Sequence, residues 1–176
     1  MSTRLFRILS ALSGITGVVM LIISFSINPG PPSNATSAQL TALGNQYYTS
    51  ILWGAWLQAV GPVLIVLFAF AIVCLAGATT RLAGWMTMFG GIILTMVSLV
   101  EIAFYMSALY SNPAMMGLIS LDLIHAVQHL YFIVAAPTLF LPLGAVILGS
   151  RVLPRVFGYL ALVLGAAFAI LGVVSL

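Results

Sequence analysis

Ile8-Leu-Ser-Ala-Leu-Ser-Gly-Ile-Thr-Gly-Val-Val-Met-Leu-Ile-Ile-Ser-Phe-Ser-Ile27 contains no charged residue. Its length of about 20 residues matches the roughly 30 Å of hydrocarbon that a helix must cross in a bilayer. Arg4 and Arg7 stand before it, and Pro29, Gly30, Pro31 and Pro32 after it forbid a continuing helix. A cleavable signal peptide is the alternative, with Thr36-Ser37-Ala38 as a small-residue cleavage site. An h-region is usually only about 7–15 residues long, so a retained transmembrane helix is expected.

The rest of the chain repeats that pattern. It has 176 residues, of which 63% are hydrophobic and 4% charged. A soluble domain carries about 25% charged residues. So little charge cannot clothe a surface facing water, and the chain reads as one integral membrane domain over residues 1–176. After a polar stretch at Asn28–Ser50, the expected spans are Ile51–Ala78, Gly84–Tyr110, Leu118–Gly149 and Val156–Leu176. The fourth is too long for one straight crossing, and Pro137 and Pro142 are expected to kink it. Ser111–Gly117 reads as a tight turn. The single cysteine, Cys74, excludes an internal disulfide.

Five helices place all the basic residues on one side. Arg4 and Arg7, then Arg81, then Arg151 and Arg155 fall in alternate connections, and lysine is absent. Under the positive-inside rule that side is cytoplasmic. The expected fold is therefore an all-α bundle of five transmembrane helices, N-terminus cytoplasmic and C-terminus outside. The net charge of +3 reflects this topology and gives no sign of a nucleic-acid partner. The last span carries Gly158, Ala161, Gly165, Ala169 and Gly172 on one helical face. Such small residues let helices approach closely in lipid, within the bundle or in a homo-oligomer.

Function must then be sought in the few ionisable residues. Both histidines and one of the two acids lie in Ser120-Leu-Asp-Leu-Ile-His-Ala-Val-Gln-His-Leu-Tyr131; the other acid is Glu101. Such residues in a span cost about 2.5–3.5 kcal/mol each on insertion scales and mark sites by default. With Asp122 at zero on a helical wheel, His125 falls near about −60°, His129 near about −20° and Gln128 near about −120°. Asp122, His125 and His129 thus share a face, and Gln128 points elsewhere. Ser98, Glu101 and Tyr105 share a face of the preceding span. Folding the two as a hairpin about Pro113 brings Glu101 level with His125, with Gln58 in reach of the same layer.

Three readings follow. The layer is a hydrogen-bonded network that fixes packing in a binding module or complex subunit. Alternatively, His125 and His129, at i and i+4, hold a divalent metal with Glu101 and Asp122, with Gln58, Ser98 and Tyr105 around them. One histidine could instead ligate a haem. The third reading is a carboxylate–imidazole proton relay in a transporter. Ser98 and Ser120 lie in no nucleophile motif, so no enzyme class is assigned.

Leu153-Pro-Arg-Val-Phe-Gly-Tyr-Leu160 before a Gly/Ala-rich helix resembles the closing part of a bacterial membrane family without assigned function. Its members resemble this chain in a basic start, a Gly-rich first helix, a polar outer loop, and an acid and histidine as in Leu121-Asp-Leu-Ile-His125. They usually carry six spans, one more than the five counted here. The resemblance implies a bacterial cytoplasmic membrane protein and no particular activity.

Overall fold

The computed structural model describes residues 3–28, 36–110 and 113–174, and among these it contains helices and no strand. The helices are α1 (Thr3–Ile27), α2 (Ser37–Leu75), α3 (Leu82–Tyr110), α4 (Pro113–Leu130), α5 (Ala136–Leu148) and α6 (Arg155–Val174). A π-helical turn, Tyr131–Ala135, joins α4 to α5 in one continuous rod. Among the described residues, five stretches are long and apolar enough to cross a membrane: Thr3–Ile27, Ala38–Leu75, Leu82–Ser107, Asp122–Leu148 and Arg155–Val174. The expected five-helix architecture is the observed one.

Two boundaries differ from expectation. The polar stretch before Ile51 is not all loop, because α2 begins at Ser37. Thr36 and Gln39 form a capping box, with Gln39 N–H donating to the Thr36 hydroxyl and the Thr36 N–H donating to Gln39 Oε1. Helix continues to Leu75 with one break in its dihedrals at Tyr47. Similarly, 113–117 is helical rather than a turn, with Pro113 at the first helical position, where its missing N–H costs nothing. Ser111 and Asn112 lie outside the described residues.

The Pro137 expectation has a specific outcome. The π turn ends two residues before it, at Ala135, and the Ala136 N–H reaches back to the Tyr131 carbonyl. A widened turn accommodates a residue that has no N–H to continue the α ladder. Pro142 lies inside α5.

Adjacent helices pack antiparallel, in the order α1, α2, α3, α5, α6. On α1, Ser10, Gly14, Gly17 and Ser24 are buried, while Ile15, Ile22 and Phe25 face outward. A Cβ at Gly17 would lie 2.7 Å from the Gly61 carbonyl oxygen of α2, so these backbones meet only because glycine leaves the space. The Ser24 hydroxyl donates to the Gly54 carbonyl at 2.7 Å. The small-residue face of α6 is used within the chain. Gly158, Ala161, Gly165 and Gly172 are buried, and a Cβ at Gly144 would lie 2.9 Å from the Gly158 carbonyl oxygen.

The central core joins α2, α3 and α5 through Val66, Ile72, Val73, Leu94, Leu139 and Leu143. Below it, α2 closes in a Schellman motif. Gly77 has φ +60°, its N–H donates to Cys74 O, and Ala78 N–H donates to Val73 O. This turn carries the chain past Arg81 into α3. It lies at the same end as Arg7 and Arg151, which border one cavity with Leu75 and Ala76.

Candidate functional site

The site lies at the end of the bundle opposite the arginines. Glu101 is 5% exposed on α3. Gln58 Nε2 of α2 donates to Glu101 Oε2 at 3.0 Å, and Gln128 Nε2 of α4 donates to Glu101 Oε1 at 3.0 Å. One carboxyl group thus ties three helices, each oxygen accepting from a different amide. Charged acceptors make the stronger interhelical bonds, and a buried carboxylate requires them.

Gln58 is anchored a second time through its backbone. Pro62 lies inside α2 and has no N–H for the carbonyl four residues earlier, which is that of Gln58. The Ser98 hydroxyl of α3 donates to this carbonyl at 3.2 Å. A side chain from a neighbouring helix therefore replaces the bond that proline removes, the usual remedy where water is absent. Among the described residues, no buried side-chain nitrogen or oxygen lacks a hydrogen-bond partner. Pro62 and Ser98 therefore form one unit.

Helix lengths give the depth of this layer. At 1.5 Å per residue, about 20 residues cross the hydrocarbon. Counted from the arginine-side ends of α2, α3 and α5, that distance reaches Trp56, Glu101 and His129. The three fall in one layer near the far edge of the apolar slab. Exposed Trp53 and Trp56 pack edge to face in this layer, with centroids 6.0 Å apart, as interfacial aromatic anchors do. The start of α2, the end of α3 and most of α4 extend beyond it.

The sequence-based geometry needs correction on α4. Glu101 meets Gln128, about one turn from the expected His125. The face turned toward the bundle holds Ile124, 2% exposed, Val127, 7% exposed, and Gln128. Asp122, His125 and His129 are all exposed. Their shared stripe exists, but it looks away from Glu101. Facing inward would have buried one carboxylate and two imidazoles. The neutral amide of Gln128 goes inside instead, Asp122 and His125 remain in the wetter zone beyond the slab, and exposed His129 lies at its edge. Tyr105 is half-buried one turn beyond Glu101, and Tyr131 is half-buried at the π turn. The Ser120 side chain lies outside the described residues.

Metal ligation by all four groups does not fit this arrangement. Among the described residues, no three His, Cys, Asp or Glu side chains come together as a metal site. Glu101 is engaged by two amides on the inward side of α4, while His125 and His129 lie on its outward side. The histidine pair alone keeps the i, i+4 spacing that suits a divalent ion on one helix face.

The fold and the layer define a multi-pass, all-α membrane protein with a clamped carboxylate near one edge of its apolar slab. No protein-family model, curated protein or solved structure matches the chain.

Proposed function

We propose that the protein is a non-enzymatic binding subunit of a bacterial cytoplasmic membrane complex, with its N-terminus inside and α4 facing outward. Its partner docks on the Asp122–His125–His129 face. The single observation that carries this reading is the division of the ionisable groups. Glu101 is withdrawn into a closed three-helix clamp, whereas Asp122, His125 and His129 stand exposed together on the opposite side of α4. A closed clamp supports a packing role for Glu101, and an exposed polar stripe running from the edge of the slab outward supports recognition. The orientation rests on the five arginines lying at one end. The bacterial assignment rests on the resemblance of the Leu153–Leu160 turn.

The test is photo-crosslinking in living cells from Leu123 and His125 on α4, with Val163 on α6 as the lipid-facing control. The expected result is one adduct of defined mass from the α4 positions, lost when Asp122, His125 and His129 are all alanine in the Leu123 probe protein. Lipid adducts alone from α4 would overturn the proposal.

The i, i+4 spacing of two exposed histidines favours a second reading, a divalent ion bridging His125 and His129 at the docking face. Elemental analysis of the purified protein distinguishes it. Stoichiometric zinc or nickel, lost in His125→Ala and in His129→Ala, would put the ion in the interface.

A further inference from the structure

A cavity of about 520 Å³ opens at the arginine end, between the start of α1, the end of α2 and the turn from α5 to α6. Arg7 and Arg151 border it, and its wall includes Ala11, Phe68, Ile72 and Leu153. Both arginines are exposed. The only acidic side chains of the chain, Glu101 and Asp122, lie at the other end of the bundle, so neither neutralises these guanidinium groups. The hydroxyls at the cavity have backbone acceptors. Ser10 donates to Phe6 O at 2.7 Å and Ser150 to Ile147 O at 3.2 Å. The cavity therefore combines two uncompensated cations with an apolar wall, at the level where a bilayer changes from acyl chain to headgroup.

We infer that this cavity binds the phosphate headgroup of an anionic phospholipid, with Arg7 and Arg151 on the phosphate and the Phe68–Ile72 wall against the upper acyl chain. The volume lies within the roughly 300–1,000 Å³ range of ligand pockets. Guanidinium groups match phosphate oxygens in geometry as well as charge. Basic pockets between helices at a membrane surface are built for such headgroups. An inorganic phosphate would satisfy the arginines and leave the apolar wall unused. A phospholipid satisfies both.

The experiment is native mass spectrometry of the full chain released from nanodiscs of equal phosphatidylglycerol and phosphatidylcholine. The wild type is expected to retain one phosphatidylglycerol. The Arg7→Gln/Arg151→Gln variant is expected to bind it about thirtyfold more weakly, from two lost contacts with an anionic headgroup. Arg4→Gln/Arg155→Gln, which removes two charges at the same end but outside the cavity lining, should retain the lipid. Ala11→Leu keeps every charge and narrows the cavity, and should also lose it. Helical circular dichroism and a monodisperse elution profile certify each variant. Equal loss in both arginine pairs would reduce the effect to diffuse charge, and equal retention of phosphatidylcholine would remove headgroup selectivity. Saturable binding of inorganic phosphate to lipid-free protein, without phosphatidylglycerol retention, would make this a free-anion site. Any of the three overturns the assignment.

Discussion

Replacing Glu101 tests the clamp most directly, because its cost depends on what remains behind. In Glu101→Leu, the Gln58 and Gln128 amides both lose their acceptor. Gln58 is 7% exposed, and a buried unsatisfied donor costs about 1–3 kcal/mol. Gln128 is half-buried near the edge of the slab and recovers part of its loss from water. The expected destabilisation is about 2–3 kcal/mol. The triple variant Gln58→Leu/Glu101→Leu/Gln128→Leu removes all three groups and leaves no donor stranded. Buried polar networks replaced by apolar side chains of similar volume are often close to neutral, so the triple variant should cost about 1 kcal/mol or less. The assay is equilibrium unfolding in mixed dodecylmaltoside–SDS micelles, followed by far-ultraviolet circular dichroism. The reasoning fails if Glu101→Leu is neutral, or if the triple variant is less stable than the single one. A neutral single variant would mean the amides find other partners and the clamp is incidental. A damaged triple variant would mean that Glu101 stabilises by more than its bonds to the glutamines.

Further substitutions probe the supports around this layer. Ser98→Ala should cost about 1–2 kcal/mol in the wild type by orphaning the Gln58 carbonyl, and close to nothing in a Pro62→Ala background, where residue 62 regains an N–H; additive costs in a double-mutant cycle would refute the linkage. At Gly90, a Cβ would run into the Thr138 carbonyl on α5, so Gly90→Ala should destabilise by about 1–3 kcal/mol in the same unfolding assay. Gly44 has open space around its Cβ position in α2, and Gly44→Ala should instead stabilise by about 0.5–1 kcal/mol. For topology, Asn45→Cys in a Cys74→Ala background should react with a membrane-impermeant maleimide on intact cells, and labelling only after lysis would invert the proposed orientation.

Hydrophobic run length carried the fold, because about 20 uncharged residues have few stable alternatives in lipid. The small-residue stripe of α6 was legible for the same reason: glycine spacing records where backbones meet. Helix starts were read less well. Thr36-Ser37-Ala38-Gln39 matches both a cleavage-site pattern and a capping box, and in the fold the hydrogen bonds of Thr36 form the capping box. That helical start, together with Pro113, lengthens α2 and α4 beyond the slab.

The length of α4 explains why the rule that titratable residues face inward failed on this helix. That rule is an energy argument about hydrocarbon. It applies to Glu101, which lies at the edge of the slab and is buried among neutral amides. It loses force for Asp122 and His125, which precede His129 and so stand farther from the arginine end than the count of 20 residues reaches. On such a segment the apolar face still seeks the bundle, so Ile124 and Val127 turn inward and carry Gln128 with them. The histidines are then outward by default of geometry, since Ile124 and His125 differ by about 100° around the helix. A wheel drawn for α4 identified which residues share a face. Deciding which face is buried required the depth of the helix as well, and depth came from the lengths of its neighbours.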